Sequence, residues 1–247
     1  MNNRYTIGQI NQKTKHPADF LAECSAAYKE KTDAVAKKVF SDKTKKIVML
    51  AGPSSSGKTT TAKILSRGIS TLGGKAYTVS LDDFYHPRSV GYPLDENGKP
   101  DYECVEALDI ELLNSKLREL SDYGKSAFPV FDFKTGERIN DAKTIELSEN
   151  DVIILEGLHA LNPIITDCLP ADRLLKMYIN VSSRIYDKDN NIILNKRNMR
   201  FIRRMVRDYK FRGNSVEKTY ELWLNVQYGE DMYLFPFKDN ADIKINI

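Results

Sequence analysis

Ile47-Val-Met-Leu-Ala-Gly52-Pro-Ser-Ser-Ser-Gly57-Lys58-Thr59 decides the fold. The first five residues are apolar and begin with two β-branched side chains, the pattern of a buried strand. They run directly into a glycine-bounded turn. Thr59 to Thr71 then continues at helical spacing until Gly73-Gly74 stops it. A strand, the pattern G-x-x-x-x-G-K-[ST] and a helix, in that order, specify a site for nucleoside triphosphate phosphates. Gly57 lets the backbone approach the phosphates, and the N–H groups of the turn point inward as an anion nest. The following helix adds its positive end. Lys58 reaches the β- and γ-phosphates, and the Thr59 hydroxyl is a hard oxygen ligand for Mg²⁺. Gly52, Pro53, Ser54, Ser55, Ser56, Gly57, Lys58, Thr59 and Thr60 are the candidate nucleotide-binding residues. A chance match in a chain of this length is on the order of one in a hundred for average composition, and the required flanking elements lower that further.

Outward from this stretch, Ala76–Leu81 reads as a second strand ending at Asp82-Asp83, and Asp151–Leu155 as a third followed by Glu156-Gly157. Further strands are expected at 174–181 and 241–247, and helices at 108–120, 196–211 and 215–235. Strands that alternate with helices imply an α/β fold of P-loop NTPase type, a parallel sheet flanked by helices. Phe128–Phe133 and Thr144–Leu147 flank Lys134-Thr-Gly-Glu137 and predict a small β-hairpin insertion. Residues 86–104 hold Pro87, Gly91, Pro93, Gly98 and Pro100 and read as a long loop. Residues 1–16 carry little pattern. Phe20, Cys24, Ala27, Tyr28, Val35 and Val39 fall near helical spacing between Asp19 and Phe40, ahead of a polar linker at 41–46. The expected division is an N-terminal polar segment with a connector helix over 1–45 and a P-loop domain over 46–247.

The 247 residues are 41% hydrophobic and 29% charged, the balance of an ordinary globular chain large enough for a real core. A net charge of +3 does not indicate long-range attraction to nucleic acid or an anionic membrane. Cys24, Cys104 and Cys168 form no C-x-x-C pair, and His16, His86 and His159 are dispersed, so neither a disulfide framework nor a zinc site is suggested. No apolar run has the length of a membrane span. The expectation is a cytoplasmic protein with a small-molecule partner and neither membrane nor nucleic acid. A homo-oligomer is left open.

Acids at the ends of strands beside a phosphate loop assist the metal and the acceptor. Asp82 and Glu156 are the candidates, one near Mg²⁺ and the other accepting the acceptor hydroxyl's proton. Asp83 competes with Asp82, and only one of two adjacent residues should face the crevice. Arg200, Arg203, Arg204 and Arg207 share one helix face, with Met199, Ile202, Met205 and Val206 on an apolar side. Such a helix suits a lid that closes on phosphates, with Arg203 and Arg207 spreading transition-state charge and Arg200 contacting substrate. The alternative is a solvated basic face, RNA-binding in the extreme. Ile192-Ile-Leu-Asn195-Lys-Arg-Asn198 superficially matches a guanine-reading segment, but Asn198 stands where an acid is needed.

Taken together, these residues resemble the uridine kinase and phosphoribulokinase family over about residues 46–247. The markers are the phosphate loop, Asp82-Asp-Phe-Tyr85, Asp101–Asp109, Pro129–Phe133, Glu156-Gly157, the arginine helix and Asn240–Ile243. The resemblance implies transfer of the γ-phosphate of ATP, with Mg²⁺, to a nucleoside 5′-hydroxyl, uridine and cytidine first. It implies Asp82 as general base and Thr59 with Glu156 at the metal. It also implies Tyr85, Tyr102, Phe131 and Arg138 in the nucleoside pocket. Glu103 stands where the family carries a ribose-gripping Asp, and Gly136 where it carries a base-reading histidine. The chain is similar to a branch found as the C-terminal part of longer bacterial proteins, which makes helix 19–40 a connector. The rival readings are a kinase of another small alcohol, such as a sugar phosphate or pantothenate, and a nucleotide-regulated RNA-binding module.

Overall fold

The computed structural model describes residues 4–247. In chain order its elements are β1 (Arg4–Thr6), α1 (Ile7–Lys13), α2 (Pro17–Ser41), β2 (Ile47–Ala51), α3 (Lys58–Thr71), β3 (Ala76–Ser80) and α4 (Ile110–Tyr123). There follow β4 (Lys125–Asp132), β5 (Glu137–Glu146), β6 (Val152–Gly157), α5 (Pro163–Thr166), β7 (Leu174–Asn180), β8 (Arg184–Tyr186) and β9 (Ile192–Leu194). The chain closes with α6 (Lys196–Phe211), α7 (Val216–Tyr233) and β10 (Ile243–Asn246).

The apolar run of β2 lies at the centre of a five-stranded sheet of order β10-β7-β2-β6-β3, with every pair parallel. Val48, Met49, Leu50 and Ala51 are fully buried, because both faces of the sheet are covered. On one face, Leu65 and Ile69 of α3 and Ala36 and Val39 of α2 pack against Val48, Leu50, Ile154 and Met177. On the other, α4 supplies Leu113, Leu117 and Leu120, which meet Met49, Leu155, Phe84 and Phe128. Truncating any of these core leucines to alanine costs roughly 2–5 kcal/mol. The α2 packing crosses the boundary expected at residue 45, since Thr32, Ala36 and Val39 are as buried as the sheet itself.

The hairpin of β4 and β5 is antiparallel and pairs Lys125 with Glu146 through to Asp132 with Glu137. It extends well beyond the apolar segments that predicted it. Most of β5 is polar and exposed, so it gave no alternation to read. Two other elements differ from expectation. Arg4–Thr6, within a stretch that looked patternless, pairs in parallel with β8, and β9 completes that three-stranded sheet. Strands of three residues carry too little pattern to be recognised. Asn195 is the N-cap of α6, its side chain accepting from the N–H groups of Arg197 and Asn198, which accounts for the spurious guanine-reader match.

Candidate active site

The crevice lies where the chain crosses from one side of β2 to the other, beyond the carboxyl ends of β2, β6 and β3. Register aligns those ends: Glu156 stands opposite both Leu50 and Ser80. Gly52 leaves the sheet against β7, where a Cβ would sit 2.5 Å from the Ile179 carbonyl oxygen. Gly57, at φ +96°, caps the start of α3. Ser55 also takes a left-handed backbone, φ +57°, a strain of order 1–3 kcal/mol that the surrounding contacts hold in place. The Ser55 and Ser56 hydroxyl oxygens are buried and have no hydrogen-bond partner, as expected of a cradle built for ligand oxygens. Lys58 Nζ folds over the loop and donates to the Gly52 carbonyl at 2.9 Å. Thr59 and Thr60 occupy the exposed first turn of α3.

Thr59 Oγ1 donates to Glu156 Oε1 at 2.7 Å, which places a hydroxyl and a buried carboxylate together at the mouth of the loop. Burial raises the Glu156 pKa, with the Lys58 charge opposing that rise. Asp82 and Asp83 lie in a short 3-10 turn after β3. Asp83 Oδ1 accepts the Phe131 backbone N–H at 3.2 Å and so holds the hairpin to the sheet. The charge of Asp82 raises the pKa values of Glu156, Glu103 and Tyr85, and that of Asp83 also raises Glu156. Among the described residues no group of three or more His, Cys, Asp or Glu could hold a metal by itself. Any ion here would need phosphate oxygens as well, the usual situation of Mg²⁺ in such sites.

The arginine face of α6 is turned towards the phosphate loop. Arg200, Arg204 and Asp208 are its buried residues, while Ile202 and Val206 are exposed. Arg200 makes two bonds to Glu230 of α7, at 2.5 and 2.7 Å, and a third to the Ser54 carbonyl at 3.1 Å. The expectation that Arg200 touches substrate therefore changes: its guanidinium is committed to protein partners. Arg204 donates to Ser54 Oγ and Asp208, and Arg207 is held by Asp208. Arg203 lies over the phosphate loop, its Nη2 3.5 Å from where a Cβ on Gly57 would stand. Of the basic residues of α6, Arg200 and Arg204 are buried, while Arg203 and Lys210 stay exposed.

Across the crevice, Tyr85 contacts Tyr92, Phe131 and Phe133 at ring-centroid distances of 5.7–6.3 Å, and Tyr92 contacts Tyr102 at 4.8 Å. The Tyr85 hydroxyl donates to the Tyr102 carbonyl and pins the long loop to the pocket. Phe131 is buried and Tyr102 half-exposed. Phe84, part of the same aromatic run, belongs wholly to the core. Arg138 bonds Asp109, the Tyr85 carbonyl and Asn140 and so ties the hairpin to the Tyr85 turn. Burial pushes the Glu103 carboxyl up to about 7, against the pull of Arg204 and with a further rise from Asp82. Burial holds His159 neutral with a pKa of about 4, against an opposing influence of the Glu103 backbone.

The sequence model of the phosphoribulokinase/uridine kinase family matches residues 47–247. The chain belongs to that family. As a member it is an ATP-dependent P-loop kinase acting on a small molecule. The uridine kinase of Lactobacillus helveticus strain DPC 4571 is 31% identical to this kinase over 199 residues, covering 80% of this chain and 84% of that protein. Among solved structures, a chain described as a fructose transport system kinase from Silicibacter sp. TM1040 aligns with TM-score 0.63 at 20% identity, covering 86% of this kinase and 98% of that chain. One described as a possible uridine kinase from Bacillus stearothermophilus aligns with TM-score 0.57 at 19% identity, over 89% and 99%. These structures show the shared fold. Among the described residues of this kinase, no helix is long and apolar enough to cross a membrane.

Three residues of the site gave no legible signal. Glu230 is one of four acids in α7 and nothing in its spacing marks it out. Asp208 looked like one more surface charge of α6. Arg88 lies in the long loop, yet its side chain occupies the space beside Gly136, within 2.5 Å of where a Cβ would stand. The left-handed Gly136 turn thus leaves room for Arg88.

Proposed function

We propose that this kinase transfers the γ-phosphate of ATP to the 5′-hydroxyl of a ribonucleoside, with uridine and cytidine the first candidates. The observation that supports the reading is the aromatic cluster of Tyr85, Tyr92, Tyr102, Phe131 and Phe133, whose members adjoin Asp82 and Glu103 in the chain. In this reading ATP lies with its phosphates in the loop from Gly52 to Thr60, under Lys58. Arg203 faces the same loop and stabilises charge on the transferring group, with Arg207 beside it. Asp82 takes the proton of the attacking hydroxyl, a role worth roughly 10²–10⁴ in rate. Thr59 and Glu156 fit Mg²⁺: their oxygens are adjacent, hard, and partly supplied by a carboxylate. Bound there, the ion would neutralise charge on the β- and γ-phosphates.

On the acceptor side, Tyr85, Tyr102 and Phe131 offer ring faces to a base, a sequence-tolerant contact because every base has a π-face. Glu103 accepts hydrogen bonds from the ribose hydroxyls, and such bonds to a carboxylate are the stronger kind. The ribose demand is therefore firm and the base demand looser. We place the protein in the cytoplasm.

The test is a set of initial rates with uridine, cytidine, adenosine, guanosine and inosine and their 2′-deoxy forms, for wild type and Glu103→Gln. Ribonucleosides should be turned over well ahead of deoxy forms, and Glu103→Gln should narrow that gap. If every nucleoside is inert while a sugar or sugar phosphate is phosphorylated, the acceptor has been misassigned.

A further inference from the structure

Ser54 is held from three directions by the two helices that close the crevice. Its backbone N–H donates to Glu230 Oε1 at 2.8 Å, its carbonyl accepts from Arg200 Nη1 at 3.1 Å, and its hydroxyl accepts from Arg204 Nη1 at 2.9 Å. Glu230 and Arg200 are almost completely buried, and Arg204 is nine-tenths buried. Glu230 is thus shared: one oxygen takes both the loop's N–H and an arginine hydrogen, the other takes the second arginine hydrogen. Asp208 completes the set by bonding Arg204.

A buried ion pair is a poor device for stability alone, since an apolar pair of similar volume often serves as well or better. Here its geometry has a different use. The two peptide groups that flank the Ser54 Cα are fixed, one at its N–H and the other at its carbonyl, immediately before the strained Ser55 and the two partnerless serine hydroxyls. A loop that must present N–H groups to phosphate gains affinity by being fixed beforehand, because less ordering is left to binding.

We propose that Glu230, through its buried pair with Arg200, is a positioning residue of the nucleotide site: it sets the shape of the phosphate loop from α7 without touching ATP. It follows that α6 and α7 are latched to the loop before substrate arrives, and that Arg203, not Arg200 or Arg204, is the arginine left to meet the phosphates. The proposal rests on ATP as phosphoryl donor and is independent of the acceptor named above.

The experiment measures ATP binding by calorimetry with no acceptor present, so a wrong acceptor cannot affect it. The decisive variant is the double replacement Arg200→Met/Glu230→Leu, which removes the charges as a pair and fills the space. A positioning role predicts a folded protein whose ATP dissociation constant rises tenfold or more. Rates at saturating ATP should recover far more than rates at low ATP. ATP affinity within twofold of wild type in the folded double variant would overturn the proposal and leave the pair a purely structural role. Amide hydrogen exchange of the nucleotide-free wild type gives a second reading that needs no variant. The Ser54 N–H should be strongly protected, and exchange at the rate of an open loop would equally overturn the proposal.

Discussion

The two sides of the crevice are built on different principles. The phosphate side is one continuous segment, β2 to α3, whose binding groups are backbone N–H donors, a lysine and a threonine fixed by local geometry. The proposed acceptor side is gathered from the turn after β3, the long loop at 86–104 and the hairpin of β4 and β5, and the groups it would offer are side chains. A phosphate is the same in every nucleotide, so a contiguous backbone nest suffices to hold it. An acceptor must be distinguished from others by shape and hydrogen-bonding groups, and that discrimination comes from distant residues brought together by the fold. Substitutions on the first side should therefore act on catalysis as a whole, and those on the second on which acceptor is used and at what pH.

The largest effect is expected at Lys58. Lys58→Ala removes the one mobile cation of the loop and should cut turnover roughly 10³-fold or more with any acceptor. The fold should stay intact, because the residue faces the ligand. A steady-state rate near that of wild type would mean the loop is not the phosphate site. Next comes the pair of adjacent acids. Asp82→Asn should lower kcat by about 10²–10⁴ while ATP still binds. Asp83→Asn retains an oxygen for the Phe131 N–H and should remain close to wild type. The reverse ranking of the two rates would transfer the base role to Asp83.

Much of the phosphate side was legible because its signals are local. The glycine-bounded turn and Glu156 each lie at the end of an apolar strand, and α6 spans the residues that its periodicity predicts. What could not be read was which way the α6 arginines face. That depends on Glu230, an acid on another helix, and on Asp208, which draws Arg204 and Arg207 to itself. Ile202 and Val206 are exposed, and paired charges take the interior position. The acceptor side was legible as an aromatic supply but not as an arrangement. No spacing rule connects Arg88 with Gly136 or Arg138 with Asp109, since both are contacts across the fold.

A smaller effect should appear in the pH dependence of the acceptor side alone. Burial raises Glu103 from an ordinary 4.5 to about 7, so it is mainly protonated in mildly acidic solution. If the carboxylate is the form that grips the ribose, acceptor KM should fall as pH rises through about 7, by a factor approaching ~10 across the titration. Glu103→Gln should show a flat profile, and KM for ATP should not follow the same curve. The sign for stability is opposite. A raised folded-state pKa gives stability that is full below 4.5 and lost as pH rises through about 7. A KM profile that persists unchanged in Glu103→Gln would assign the titration to another group.

The smallest effect is expected at Arg88. Its guanidinium carries only hydrogen-bond donors, so it favours bases that present carbonyl oxygens. Arg88→Ala opens the space beside Gly136 and should flatten the preference among bases by a few-fold, on the scale of about 1 kcal/mol. The ribose demand and KM for ATP should be unaffected. An Arg88→Ala enzyme with wild-type base ranking would place base reading on the aromatic rings alone.

The central claim is tested most directly by following the products of ATP and uridine with phosphorus NMR, in wild type and Asp82→Asn. The account predicts a 5′-phosphomonoester of uridine formed one for one with ADP by the wild type, and its near-absence with Asp82→Asn although ATP still binds. Absence of the monoester with uridine, cytidine and the other ribonucleosides, while ADP accumulates with a sugar or sugar phosphate, would contradict it.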